Sequence, residues 1–326
     1  MISILIPTYN NAKTLKECLA SIQNQTKKPD EIIIIDGHSK DETIEIAEEF
    51  GCKILFENGG SRAAACNVGI LQAQGEIIIF TDSDCIAKED WIETLVEAFS
   101  EEHEGIVVAT TGPNIEYPNE STFGKAVSAV YQSFIGGSWS EQSQSIFNKK
   151  KRYVSSAAGC NVAYRKEYLE EVMPFNESLI TAEDTDINFR LTQKGYLLFF
   201  TPDAVVFHQR PQNFKALRNK SKKYAKGKVQ FFRTHRTGLE FWHLIPPLHY
   251  ITLILLGISS FAHFILLYIF SGYVGLYILT LLFYSVILTI KYKKAKFLYL
   301  LPIMYIIGHM WWSIGIIQEI FKLNEK

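Results

Sequence analysis

Apolar and polar positions fall in blocks through the first hundred residues, and the block lengths predict the elements. Short apolar runs at 2–6, 31–35, 53–56, 76–80 and 106–109 have strand length, while 12–25, 41–50, 62–73 and 89–100 between them carry apolar residues at helical spacing. The runs 32–35 and 77–80 are apolar without alternation, as a strand covered on both faces requires. This alternation predicts an α/β fold with a mostly parallel, doubly wound sheet. Ser39 followed by Glu42 has capping-box spacing and predicts the start of the second helix. From 112 to 151 the pattern loosens. Phe123, Val127, Val130 and Phe134 form an apolar helical stripe, open to ordinary packing or to membrane-surface contact; Gly136, Gly137 and the polar stretch 138–144 predict a mobile loop. Regular structure resumes at 153–164, with a helix over 181–194 and strands near 196–200 and 204–207.

The C-terminal third changes character. No Asp, Glu, Lys or Arg occurs from 244 to 290. As helix that run would reach roughly 70 Å, about twice a hydrocarbon core of about 30 Å. Ser271, Gly272 and Gly275 offer a turn in its middle, and 297–318 is a second uncharged run. Core helices rarely run so long without a polar face, so about three membrane spans are expected over 244–321. Lys291, Lys293, Lys294 and Lys296 lie between the second and third spans; basic loops stay cytoplasmic, which places the N-terminal domain in the cytosol and the tail after Phe321 outside, although Lys322 and Lys326 argue less well for the tail. The strand-like start at 2–6 leaves no room for a leader, so none is expected.

Composition adds two exclusions. Lys+Arg 33 against Asp+Glu 34 gives no global charge that would favour nucleic acid. Five cysteines, scattered over Cys18, Cys52, Cys66, Cys85 and Cys160 without a CxxC pair or His-spaced cluster, fit a reducing cytosol and argue against a disulfide framework or structural zinc. The one strong charge block is 210–236, including Lys215, Arg218, Lys220, Lys222, Lys223, Lys226, Lys228, Arg233 and Arg236. Attraction to anionic headgroups explains it, at about 1 kcal/mol per basic residue near the surface. A sharper reading adds an anionic lipid carrier, with Arg218 and Lys222 on one helical face.

Open parallel sheets bind ligands beyond the carboxyl ends of their strands, so the residues that follow each strand are the candidates for chemistry. The first strand ends in Pro7-Thr8-Tyr9-Asn10, the second in Asp36-Gly37 and the fourth in Thr81-Asp82-Ser83-Asp84. Asp82 and Asp84 can hold Mg²⁺ or Mn²⁺ through hard oxygen ligands; the competing reading is a plain turn. Glu183-Asp184-Thr185-Asp186 opens a helix, where Thr181 as N-cap and Asp184 as its partner is one reading and Asp184 as general base is the other. His208 closes a strand-like run, either as a structural histidine or as a further ligand to the same metal. Arg62 follows Gly59-Gly60-Ser61 at a helix start, open to phosphate contact or to plain solvation.

In this order, Ser-Ile-Leu-Ile-Pro-Thr-Tyr-Asn at 3–10, Ile35-Asp36-Gly37-His38-Ser39, Arg62 with Asn67-Val68-Gly69, Asp82-Ser83-Asp84, Gly159-Cys160-Asn161-Val162-Ala163-Tyr164-Arg165, Glu183-Asp184-Thr185-Asp186 and His208 resemble family 2 glycosyltransferases of the GT-A fold, over roughly residues 1–230. The resemblance implies inverting transfer from a nucleotide-diphosphate sugar, UDP- or GDP-linked, with a divalent cation. It implies that Pro7, Tyr9 and Asp36 hold base and ribose, that Asp82 and Asp84 serve nucleotide and metal with His208 as a further ligand, and that Asp184 is the base. Ser83, Arg62 and Glu183 join the substrate-binding expectation. The Gln-containing continuation of polyprenyl-phosphate sugar synthases is replaced by Cys85-Ile86-Ala87, and Gln209-Arg210-Pro211 does not match the QxxRW signature of processive synthases.

The expected organisation is a cytosolic GT-A-like catalytic domain over 1–209, with a nucleotide-sugar half at 1–111 and an acceptor half at 112–209. A basic amphipathic connector at 210–243 and a transmembrane region at 244–321 follow. The expected reaction delivers sugar to a membrane-associated hydroxyl, on a lipid-linked glycan. A polyprenyl-phosphate glycosyl synthase and a non-catalytic membrane scaffold are the rivals.

Overall fold

Ile2–Thr8 forms β1, the strand on which the α/β unit is built. In this computed structural model, which describes residues 1–137 and 150–322, β1 pairs in parallel with β2 (Glu31–Asp36) on one side and β4 (Ile77–Thr81) on the other. Its side chains alternate between two cores. Ile2, Ile4 and Ile6 join Ile34 and Ile79 in one, and Leu5 joins Ile33, Ile35, Ile78 and Phe80 in the other. Burial on both faces is the physical reason these strands show apolar runs rather than alternation.

β3 (Lys53–Phe56) adds in parallel outside β2. Past β4 the direction changes. β9 (Asn161–Arg165) runs antiparallel between β4 and β6 (Val107–Thr111); β10 (Leu197–Phe200) is parallel to β6, and β8 (Arg152–Val154) closes the edge antiparallel. The order β3-β2-β1-β4-β9-β6-β10-β8 keeps the first half parallel, as the alternation requires. A small sheet, β5-β11-β7, joins Cys85–Ala87, Val206–His208 and Asn114–Glu116, with His208 opposite Cys85.

Helices α1 (Ala12–Gln23), α2 (Thr43–Glu49) and α4 (Trp91–Glu97) cover the first core, while α3 (Arg62–Gln72) covers the second. α5 (Thr122–Tyr131) belongs to a different unit; α6 (Lys166–Glu170) and α7 (Glu183–Gln193) return to the second core. The capping box does not form. α2 starts at Thr43 without a side-chain cap from Ser39, whose hydroxyl is committed to Asp36.

The chain divides into two compact units. One takes Met1–Asn119 and the described residues from 150 to Gln209; the other takes the described residues from Glu120 to 137 and from Arg210 to 322. The polar stretch 138–144 and Lys326 lie outside the described residues. The second unit contains α5, the basic helix α8 (Phe214–His235), and three helices long and apolar enough to cross a membrane: α9 (Phe241–Ser259), α10 (Phe264–Tyr292) and α11 (Phe297–Ile320). Val127 and Val130 of the apolar stripe pack with Leu301, Met304 and Tyr305 of α11, and Phe123 meets Phe214 edge to face at 4.9 Å; Phe134 stays exposed. Packing is therefore the role of most of that stripe.

The break in the long apolar run falls at Ser260–His263, not at Ser271–Gly275, which lie inside α10. Ser259 and Ser260 bond back to Leu256 O and Gly257 O, and the extended His263 accepts from Ile265 N as the cap of α10. Such local side-chain bonds compete with helix continuation. Ser271 spends its hydroxyl on Leu267 O within the helix, and α10 runs unbroken through Gly272 and Gly275.

α8 and α11 meet through Gly315. A Cβ built there would lie 2.6 Å from Lys222 O and 2.7 Å from Ala225 Cβ. Small residues permit such backbone approach. Gly315→Val should therefore force the helices apart at a cost of about 1–3 kcal/mol. The expected result is a lower thermal midpoint for the detergent-solubilised chain; an unchanged midpoint would show that the crossing yields freely.

Candidate active site

The carboxyl ends of β1, β2 and β4 converge, and their loops are sewn together by side chains. Asp36 is fully buried and accepts from Ser39 twice, from the amide at 2.7 Å and from the hydroxyl at 2.5 Å. Asn10 N donates to Ser39 Oγ, and Gly37 N donates to Thr8 O at 2.9 Å. Pro7 is half-buried beside them, and Tyr9 projects its ring outward, 57 % exposed. A carboxylate with both oxygens held by Ser39 lies beneath the loops, and the exposed Tyr9 ring is the part open to a ligand.

The Asp82-Ser83-Asp84 turn divides its labour. Ser83 is buried and accepts from Asn11 Nδ2 at 2.5 Å, which pins the turn to the β1 loop. Asp82 and Asp84 flank it, half-buried, and His208 comes from β11. Its Nε2 lies 3.6 Å from Asp84 Oδ1 and 4.0 Å from Asp82 Oδ2, and one donor atom of each of the three falls within 4.8 Å of the others. Two carboxylates and an imidazole suit Mg²⁺ or, with its greater tolerance of nitrogen, Mn²⁺.

Arg62, the first residue of α3, joins this group to α7. Its guanidinium pairs with Asp82 Oδ1 at 3.1 Å and Glu183 Oε1 at 3.1 Å, and donates to Gly159 O at 2.8 Å. Gly159 is glycine for a steric reason: a Cβ there would fall 2.7 Å from Arg62 Nη1. Gly159 N donates in turn to Asp184 Oδ2 at 2.9 Å. A continuous polar chain thus runs from Asp84 through His208, Asp82, Arg62 and Gly159 to Asp184.

Asp184 is not a helix cap. Ala182 occupies the N-cap position at φ 73 without a side-chain bond, and the other oxygen of Asp184 accepts from Thr185 N at 2.7 Å. A left-handed alanine costs about 1–2 kcal/mol and is held only where its surroundings demand it. It aims both Glu183 and Asp184 at the cluster.

Charge follows from this crowding. Burial works against the charge of Arg62, yet Asp82 foremost, with Glu183 and Asp184, holds the guanidinium well above its ordinary value. Burial and then Asp184 raise Glu183 above the usual carboxylate range, against the pull of Arg62. Burial pushes the neighbouring Cys66 thiol up to about 12, so it is no nucleophile.

Spacing along the chain did not reveal several participants. Asn11 and Gly159 carry no chemistry by type; Gly159 was visible only as part of a motif, and Asn11 lies just beyond the 3–10 motif. Asn161 is wholly buried, accepting from Trp91 Nε1 at 2.8 Å and donating to Pro113 O and Ala204 O, so it fixes the segment that presents Gly159. The fold also brings one donor atom each of Cys85, Cys160 and His208 within 4.8 Å, a grouping that scattered cysteine positions concealed. Arg218 and Lys222 lie in the second unit, both over the Trp311 ring, at 4.8 and 5.6 Å from its centre.

A parallel β-α-β half with an Asp-Ser-Asp rim, continued by an antiparallel strand and an acid-led helix, defines a GT-A-type glycosyltransferase domain. The chain belongs to glycosyl transferase family 2, whose model matches residues 3–173. It is 33 % identical to the glycosyltransferase AglE of Haloferax volcanii, over 77 % of this chain and 84 % of the relative. It is 24 % identical, over 99 % of this chain and 98 % of the relative, to a dolichyl N-acetyl-α-D-glucosaminyl phosphate 3-β-D-2,3-diacetamido-2,3-dideoxy-β-D-glucuronosyltransferase of Methanococcus voltae. The mannosyltransferase PcManGT of Pyrobaculum calidifontis, solved with GDP-Man and Mn²⁺, shares the fold with a TM-score of 0.64 at 19 % identity, covering 99 % of this chain and 88 % of its own.

Because Glu183 titrates higher in the folded chain than the ordinary 4.5, its contribution to stability is full below 4.5 and is lost as pH rises through the folded value. Glu183→Gln cannot titrate. The stability of the wild type relative to this variant should therefore grow as pH falls from neutral toward 4.5, measured as paired thermal midpoints.

Proposed function

We propose that the chain transfers a sugar, with inversion, from a UDP- or GDP-linked donor to a hydroxyl of a membrane-associated, lipid-linked glycan. The observation that carries this reading is the polar chain from Asp84 to Asp184, which sets a diphosphate-facing group and a proton acceptor in one unit. Asp36 and Tyr9, with Pro7, would receive base and ribose. Asp82, Asp84 and His208 would hold Mg²⁺ or Mn²⁺, which when bound neutralises the charge of a departing diphosphate. Arg62 orients Asp82, and Glu183 fixes Arg62.

Asp184 would take the proton of the attacking hydroxyl. Its Oδ2 accepts from Gly159 N and its Oδ1 from Thr185 N, bonds that fix its direction. A phosphate acceptor is already ionised near neutral pH and needs no such base; a sugar hydroxyl does. That argument favours the hydroxyl acceptor over a polyprenyl phosphate. The Methanococcus voltae relative, whose name specifies a sugar on dolichyl phosphate as acceptor, supports the same direction.

The basic face of α8 would meet the acceptor's lipid phosphate through Arg218 and Lys222, with Trp311 as a shared apolar floor. The long apolar helices would anchor the chain in the cell membrane. The lysines between α10 and α11 support a cytoplasmic catalytic domain.

Nucleotide release from a panel of UDP- and GDP-sugars, with and without Mn²⁺, on membranes holding the protein tests the reading. Asp184→Asn should lower transfer by about 10²–10⁴-fold while donor binding persists; full transfer by this variant at neutral pH would remove the base. Asp84→Ala should abolish the Mn²⁺ response. Nucleotide-dependent stabilisation without turnover on any acceptor would favour a scaffold, and a lipid phosphodiester product the polyprenyl-phosphate synthase. Reversing charge at Arg218 and Lys222 should weaken lipid-acceptor turnover more than donor hydrolysis, and equal losses would count against the phosphate contact.

A further inference from the structure

α9, α10 and α11 all have the length and apolar character of a span, but their packing partners differ. α8 runs alongside the C-terminal part of α11. Arg218 and Lys222 lie over Trp311, Lys222 and Ala225 press on Gly315, Ala225 and Val229 pack on Ile316, and Arg233 pairs with Glu319 at 3.2 Å. The contacts climb both helices together, so the two lie side by side in the same sense. α8 carries eight Lys or Arg and no Asp or Glu. Each would be costly in hydrocarbon, and their number rules out immersion of α8 at bilayer depth. A helix bound along such a partner shares its depth.

The ends of α11 give a second, independent argument. Its first residue follows α10 after only Lys293–Lys296. Trp312 Nε1 donates to His243 O, in the first turn of α9, at 2.9 Å, and Arg233, eight residues before α9 begins, donates to Ile320 O at 2.8 Å. α9 and α10 form an antiparallel hairpin, with His249 bonded to Tyr273 and Gly257 beside Phe270. A hairpin that crosses twice starts and finishes on one side. α11 is tied to the start of one arm and the finish of the other.

We infer that only α9 and α10 cross the bilayer, and that α11 lies in the membrane interface with α8, its partner being the headgroup and upper acyl layer of an anionic leaflet. The side chains fit that depth. Leu298, Ile303 and Ile306 are exposed apolar groups, Trp311 and Trp312 are the aromatic type favoured at the interface, and α8 supplies the cationic face. Residue 322 then lies on the same side as the loop Lys293–Lys296, whereas a third span would carry it to the other.

Single cysteines at exposed positions test this. Lys322→Cys, Ala295→Cys and Ala262→Cys, each in the full chain in sealed membrane vesicles, are treated with a membrane-impermeant maleimide before and after permeabilisation. Labelling of the unsubstituted chain is subtracted for its five native cysteines. Lys322→Cys and Ala295→Cys should react from one side, and Ala262→Cys, in the hairpin turn, only from the other. Phe321→Cys repeats the reading should Lys322→Cys be poorly produced. Reaction of residue 322 or 321 from the side of Ala262→Cys, or from both sides of intact vesicles, overturns the inference. So does Ala262→Cys reacting from the side of Ala295→Cys, because the hairpin itself would then be absent.

Discussion

The α/β unit depends on one guanidinium. Arg62 holds Asp82, Glu183 and the Gly159 carbonyl at once, and these belong to three chain segments that would otherwise repel or drift. Without it, Asp82 after β4 and Glu183 of α7 would be left part-buried and lacking this partner, and breaking such a pair costs several kcal/mol in typical cases. The glycine at 159, the left-handed Ala182 and the serine cap of α3, with Ser61 accepting from Ala64 N, all serve to admit or aim this contact. A cation placed by the protein keeps the anionic groups of the site poised side by side.

Much of the α/β unit was legible because burial on both faces writes continuous apolar runs. β1 to β4 were expected within two residues of their observed ends, and the helices between them likewise apart from frayed termini. Ser39 and Thr181 show where local rules failed. Both have capping spacing, yet Asp36 takes the first, and the second helix begins after Ala182 because α7 is aimed by its contacts with Arg62 and Gly159. A tertiary partner outweighs a cap whose worth is about 1 kcal/mol.

The carboxylates of the site could be read from strand ends, but their linkage could not. Arg62 had equal claims as a solvated residue, and nothing in spacing says that Gly159 offers its amide to one side and its carbonyl to the other. The turn in the apolar run was misplaced for a related reason. Glycine breaks a chain where water can take the freed backbone groups; amid apolar neighbours, serines and a histidine that supply their own hydrogen bonds make the better break.

The two arms of the α9–α10 hairpin are unequal, 19 and 29 residues, or about 28 and 44 Å. Set across hydrocarbon of about 30 Å, the shorter arm would match the acyl layer while the longer one would overshoot it by between two and three turns, at about 5.4 Å per turn. On the two-span arrangement inferred above, the surplus would emerge at the end bearing Tyr292, whose hydroxyl donates to Gln132, and the overhang would act as a post holding the α5 end clear of the acyl chains. Thinner or thicker lipid would tilt this post, and the depth at which the second unit rides would respond to bilayer thickness.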